Sequence, residues 1–449
     1  MPEGRGSRSL RRMNAPVEPG VEKQLIRALG VPSLAANIVN STVGAGIFAL
    51  PALIAAQLGT AAPLAFFVCA LAMVIFVTSF ALAGSRVSLT GGMYAYVETA
   101  FGRFGGFIAG VLYFLTAILA TSGIVSLLAD TIGAMSPLFA NRPAHFLVVL
   151  SVLGSLAWIN IRGVQSGARA VWIVTIVKLI PLFIFVGAGI FFVRRADVLT
   201  MSWPGASALG RSVLILLFAF VGIEVALIPS GEVKNPTRTV PRAIYLALGV
   251  TTVLYLLIQL VAQGILGGSL GKFSAAPLAE AAARFLGGPG RSLLLTGASI
   301  SAFGFITSDI LSSPRILFAF GRDRFLPQAF AHVHRRFHTP DVAIIAYCTV
   351  CAVLSLISSF QKLAVLSNVA VLALYFLSCG AAVQLVRRDV RADGPPFDFR
   401  GAWMVPCVGA AISLLILAQA KRQELALTAA VLVVASAIFF LQSKLQPKS

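Results

Sequence analysis

Charge is scarce in this sequence. Only 11% of its 449 residues are Asp, Glu, Lys or Arg, while 58% are hydrophobic and the mean hydropathy is +0.91. No soluble globular domain carries that balance, so a water-soluble enzyme or binding domain is excluded. There is no G-x-x-x-x-G-K-[ST] phosphate loop, no nucleophile elbow and no paired-carboxylate hydrolase pattern. The missing nucleotide loop disfavours a self-contained ATP-driven pump. Cysteine is limited to five residues, Cys69, Cys348, Cys351, Cys379 and Cys407, all within or at the edge of apolar segments. Cys348 and Cys351 form a C-x-x-C that reads as small apolar packing rather than redox chemistry or metal binding. His332, His334 and His338 sit in a polar loop beside Arg335 and Arg336, without a cysteine or acidic cluster. They read as solvated, so no metal site and no cofactor is expected.

What is present is apolar length. Runs of about 20 residues, enough to span a bilayer, recur along the chain. The expected fold is an all-α membrane protein with twelve transmembrane helices, at 33–57, 62–85, 104–133, 144–161, 168–193, 209–231, 242–266, 290–320, 342–359, 362–386, 403–420 and 423–442. Residues 1–32 read as a disordered cytosolic tail, with no signal-peptide pattern before the first span. The net charge of +19 invites a nucleic-acid hypothesis, and its placement argues against one. With the N-terminus inside, inner loops and tails hold roughly 24 Lys and Arg against roughly 10 outside, the positive-inside bias. Both termini are thereby expected in the cytosol, with the chain in the cytoplasmic (inner) membrane and its arginines near lipid headgroups.

Two spans should not be comfortable in hydrocarbon. The first contains Asn40-Ser41-Thr42-Val43-Gly44-Ala45-Gly46-Ile47-Phe48, and the sixth contains Phe218-Ala219-Phe220-Val221-Gly222-Ile223-Glu224. Glycines two apart weaken a helix. Backbone that leaves the helix survives at membrane depth only in protein or beside a wet cavity. Gly44 precedes Pro51 by seven positions, and Gly222 precedes Pro229 by seven. The two segments begin consecutive groups of five spans, 33–193 and 209–386, followed by accessory helices at 403–442. An odd number per group inverts the second copy, the arrangement of many secondary transporters. Half-helix N-termini suit an anion, and half-helix C-termini offer carbonyls to an ammonium group. Two antiparallel breaks side by side therefore fit a zwitterion, of which an α-amino acid is the simplest.

Three ionisable residues lie inside spans, each costing about 2.5–3.5 kcal/mol at mid-helix on the insertion scale. Lys178 in the fifth span either exchanges a proton during transport or clamps the unwound carbonyls of the first span permanently. Glu224 follows the second break and accepts a proton, contacts substrate or braces loose backbone. Asp309, beside Thr307 and Ser308 in the eighth span, pairs with Lys178, lines the cavity or meets a cationic side chain. The sequence does not choose among these roles.

The motifs taken together resemble the amino acid–polyamine–organocation (APC) transporters. The resemblance rests on Val43-Gly44-Ala45-Gly46-Ile47-Phe48 with Pro51, Gly91-Gly92-Met93-Tyr94-Ala95-Tyr96, Phe220-Val221-Gly222-Ile223-Glu224, and Glu232-Val233-Lys234-Asn235-Pro236 with Pro241-Arg242. It continues in Ser313-Pro314-Arg315-Ile316-Leu317-Phe318-Ala319 and Gly321-Arg322-Asp323-Arg324-Phe325-Leu326-Pro327. It implies the five-plus-five inverted fold first known from a bacterial leucine transporter, with discontinuous first and sixth helices. By motif position the N–H groups of Gly44, Ala45 and Gly46 would hold the substrate carboxylate. The carbonyls of Thr42, Phe218 and Val221 would hold its ammonium. Thr121, Phe218, Val221 and Gly222 would wall the side-chain pocket. Lys178 matches a fifth-helix lysine of sodium-independent members. Two departures stand out. Ala45 replaces the usual Ser or Thr, and Ser85-Arg86 stand where members often carry an acidic residue.

The expected function is secondary active transport of amino acids by alternating access, proton-coupled and sodium-independent, with Lys178, Glu224 and Asp309 as coupling candidates. Amino acid exchange, or transport of cationic amino acids or polyamines, keeps the mechanism. A channel or an intramembrane enzyme fits less well, because intramembrane charge is sparse and its carriers lie on three separate helices. The partners expected are an amino acid, protons and the bilayer, and no nucleic acid. The oligomeric state is not legible.

Overall fold

A computed structural model of the chain describes residues 30–87, 92–163, 168–194, 203–224, 233, 235–391 and 395–445. Most of the amino-terminal tail, together with Gly91, Pro229, Glu232 and Lys234, lies outside them. The regular elements are helices: α1 (Val31–Thr42), α2 (Leu50–Leu58), α3 (Ala62–Gly84), α4 (Met93–Met135), α5 (Arg142–Ile161), α6 (Ala168–Gly189), α7 (Ala206–Leu216), α8 (Pro236–Leu266), α9 (Pro277–Ser312), α10 (Pro314–Arg322), α11 (Asp341–Ile357), α12 (Phe360–Arg387), α13 (Met404–Leu417) and α14 (Arg422–Leu445). Hydrocarbon cannot hydrogen-bond a peptide, so an apolar chain satisfies its backbone internally as helix. Proline stands in the first turn of α1, α2, α3, α5, α8, α9 and α10, where the missing N–H costs nothing.

Apart from the interruptions in the first and sixth, each expected span is helical over most of its described residues. Among the described residues, seven helical stretches are long and apolar enough to cross a membrane, and four shorter apolar helices accompany them, at Ile176–Phe192, Ala206–Ala219, Asp341–Ile357 and Met404–Leu417. Two starts differ from expectation. The third span was expected from residue 104, but α4 begins at Met93 and turns a corner at Gly102, whose φ of 80° only glycine adopts cheaply. The eighth was expected from 290, but α9 begins at Pro277 and turns at Gly287. Both leading segments carry polar residues that a search for apolar runs passes over.

The helices fall into two packing groups. In one, α8 lies against α1 and α3, and α7 against α2 and α3. In the other, α4 lies against α9 and α11, and α5 against α11. α6 runs along α9, and α12 runs along α4. Close approach and hydrogen bonds hold such helices together, because lipid is as apolar as leucine. A Cβ on Gly297 of α9 would meet Pro181 Cγ of α6 at 2.7 Å. Ser355 of α11 donates to the Ser122 carbonyl of α4 at 2.8 Å, and Ser367 of α12 to that of Thr116 at 3.0 Å. The outer helix α14 turns Leu427, Val433, Val434 and Leu441 outward, as a lipid-facing helix does. Cys348 and Cys351 are free thiols buried in α11. The histidine loop is exposed, and His332 Nδ1 lies 2.7 Å from Asp341 Oδ1.

Candidate functional site

The first span comes apart where its glycines stand. α1 ends at Thr42, Gly44 is extended (φ −94°, ψ −170°), a short 3₁₀ turn covers Ala45–Phe48, and α2 follows. Val43 is fully covered and Ala45 nearly so, while Gly44 between them is half-buried. Ala45 and Gly46 head the turn, and N–H groups at that position have no carbonyl behind them. The Gly44 N–H instead turns back to the Thr42 carbonyl at 2.8 Å.

The second break faces the first. α7 gives way to a 3₁₀ turn at Leu217–Ala219, after which Phe220 and Val221 both donate to the Leu217 carbonyl. Gly222 has φ +107°, and a Cβ there would lie 2.6 Å from the Ser41 carbonyl oxygen and 3.4 Å from the Thr42 nitrogen. No side chain fits this conformation or this space. Phe218 projects back across the gap. A Cβ on Gly46 would meet its Cδ1 at 2.9 Å, so the ring rests on the Gly46 backbone.

Tyr255 of α8 stitches the two breaks. Its hydroxyl lies 3.0 Å from the Thr42 carbonyl and 2.9 Å from that of Ala219. The Thr42 oxygen thus lies within reach of the Gly44 N–H and of the Tyr255 hydroxyl, whose single proton goes to Thr42 or to Ala219. Lys178 of α6 donates to the Asn40 carbonyl at 2.5 Å, in the last turn of α1. Glu224 Oε2 accepts from the Gly222 N–H and from the Tyr375 hydroxyl, each at 3.0 Å. It braces the second break, one of the three roles open to it.

Asp309 occupies a different place. Its carboxylate accepts from Thr121 Oγ1 at 2.6 Å, from Ser313 Oγ at 2.7 Å and from the Tyr347 hydroxyl. Three hydroxyls satisfy it, and its bonded partners do not include Lys178. Thr121 is itself buried, and its hydroxyl proton goes to Asp309. Arg86, at the departure from the family pattern, is buried; it bonds the Leu82 and Phe397 carbonyls and pairs with Asp398 at 2.9 Å. Sequence reading singled out the ionisable residues but missed the tyrosines 255, 347 and 375 that answer them. A phenol in a hydrocarbon-length helix was the available signal, because its hydroxyl needs a partner.

Beyond the breaks lies a cavity of about 630 Å³. Its lining includes Leu53, Asp130, Arg142, His145, Phe360 and Gln361. Asp130 and His145 approach to 3.4 Å. Phe360 packs edge-on against Phe218 with centroids 5.4 Å apart. The two rings thus stand between the cavity and the Gly46 backbone.

Comparison with known proteins follows the same line. The amino acid permease family matches residues 29–440. A serine/threonine exchanger of Bacillus subtilis is 28% identical over 377 residues, 79% of this chain and 82% of that protein. A branched-chain amino acid permease of Bacillus subtilis is 25% identical over 456 residues, 95% of each. An arginine/ornithine antiporter of Pseudomonas aeruginosa is 28% identical over 313 residues, 67% of this chain and 65% of that protein. With broken apolar helices and a family match over nearly its whole length, the chain belongs to the amino acid permeases of the APC superfamily: a multi-pass membrane transporter, not an enzyme.

Proposed function

We propose that this permease moves α-amino acids by alternating access, holding the substrate between its two helix breaks. The observation that carries the reading is the contact of Gly222 with Ser41 and Thr42, which brings both interrupted backbones together. The carboxylate is assigned to the N–H groups of Gly44, Ala45 and Gly46. Gly44 reaches it by releasing the Thr42 carbonyl. The ammonium is assigned to the carbonyls of Thr42, Phe218 and Val221, and the side chain to a pocket of Phe218, Val221, Gly222 and Thr121.

The packing supports twelve crossings as a five-plus-five inverted repeat, 33–193 and 209–386, with 403–442 as accessory helices. The first two spans of one group pack with the first two of the other, and the third and fourth with the third and fourth. Arginine placement supports the cytoplasmic membrane with both termini in the cytosol.

Proton symport without sodium is the favoured driving mode. Lys178 supports it, because its ammonium already occupies a carbonyl of the first break, and losing a proton would free that backbone to move. Glu224, buried, and Asp309, half-buried, are the further coupling candidates, both carboxyls held by hydroxyls. Exchange is the second reading, favoured by the names of two relatives, a serine/threonine exchanger and an arginine/ornithine antiporter. Reconstituted vesicles test both. Saturable uptake of a labelled amino acid that responds to an imposed pH gradient in sodium-free buffer is the expected result. Uptake that requires amino acid on the opposite side, whatever the gradient, selects exchange. Twenty unlabelled amino acids competing in one assay identify the substrate.

A further inference from the structure

The second break is held at both ends by one helix that the motifs never pointed to. α12 carries Asn368 and, two turns on, Tyr375. Asn368 is fully buried. Its Nδ2 donates to the Leu214 carbonyl at 2.7 Å and to the Ile215 carbonyl at 3.1 Å. Those carbonyls belong to the last turn of α7, where the ladder tightens to 3₁₀ and a helix end leaves oxygens short of partners. Reversing the amide would set its oxygen against two carbonyl oxygens, so chemistry fixes its orientation. Oδ1 is buried and without a hydrogen-bond partner. The side chain is therefore held by its two donors alone. Beyond the break, Tyr375 holds Glu224, which holds the Gly222 N–H. Phe218, Ala219, Phe220 and Val221 lie between these anchors.

We infer that Asn368 is a positioning residue for substrate selection: by capping the broken end of α7 it sets where Phe218 and Val221 stand. It touches no reacting atom and acts through the turn it caps. The inference rests on the proposed binding of substrate at the breaks, and it names a determinant of side-chain preference that neither break contains.

The test uses the full chain in vesicles, with uptake normalised to the amount of monodisperse protein. Asn368→Leu keeps the branched shape and the number of side-chain heavy atoms, and removes both donors. The expected result is normal yield, a KM for the preferred amino acid raised about tenfold, and a changed rank order among small, branched and aromatic competitors. A merely structural role lowers yield or kcat for every amino acid alike and leaves KM and rank order untouched, which overturns the inference. If Asn368→Leu fails to fold, Asn368→Ser keeps one shorter donor, and the same two outcomes are read from it. Failure of the functional reading is separate: the wild-type protein itself then shows no saturable amino acid uptake.

Discussion

Gly222 lies so close to Ser41 that a single methyl group at Gly222 would sit 2.6 Å from the Ser41 carbonyl oxygen. The two residues belong to helices far apart in the chain, and each marks the place where its helix stops being one. Nothing larger than hydrogen fits, and φ of +107° at Gly222 independently disfavours any other residue.

Gly222→Ala is accordingly expected to separate the breaks. The backbone strain alone costs roughly 1–3 kcal/mol, and the contact with Ser41 adds to it. Uptake in vesicles should fall at least tenfold, and the melting temperature of the purified protein should drop. Wild-type uptake and melting temperature would show that the contact does not constrain the site.

Tyr255→Phe keeps the ring and removes the hydroxyl shared by Thr42 and Ala219. Leaving a buried acceptor short of a donor costs about 1–3 kcal/mol. The expected result is normal yield with transport slowed about tenfold or more. Unchanged kinetics would mean that the hydroxyl does not join the breaks during the cycle.

Lys178→Ala removes the ammonium from the Asn40 carbonyl. If the lysine cycles a proton, accumulation driven by a pH gradient disappears while exchange of labelled for unlabelled amino acid persists. A variant that still accumulates fully under the gradient rules out the coupling role. Loss of both activities fits a static clamp.

Phe360→Ala deletes the partner of Phe218 at the floor of the 630 Å³ cavity. Solvent then reaches Phe218 from that side. A cysteine-directed reagent should label Phe218→Cys faster in the Phe360→Ala background than in the parent. Equal labelling rates would place the barrier elsewhere.

Much of this site was legible in the amino-acid order. Gly44 and Gly46, two apart after three polar residues, and Gly222, just ahead of a carboxylate, announce the breaks because such clusters weaken a helix in an apolar run. Lys178, Glu224 and Asp309 announce themselves by charge. Their partners were not legible. Tyr255 sits 213 positions from Thr42, and Asp309 188 positions from Thr121, and no local pattern encodes contacts across such distances. Asp309 illustrates the limit. Three roles stood open from the sequence, and only packing showed it bonded to Thr121, Ser313 and Tyr347. Asn368 was silent for another reason: an asparagine in a helix with serines beside it reads as ordinary interhelical glue. The starts of α4 and α9 fall outside the expected spans because Glu98, Arg103, Glu280 and Arg284 interrupt the apolar length there.

The most direct test is equilibrium binding of the labelled preferred amino acid to monodisperse Gly46→Leu protein. A Cβ on Gly46 would already meet the Phe218 ring at 2.9 Å, so a leucine side chain there would force the ring and the break apart. Binding at the breaks predicts at least a hundredfold loss of affinity. Affinity equal to wild type would place the substrate elsewhere and contradict the account.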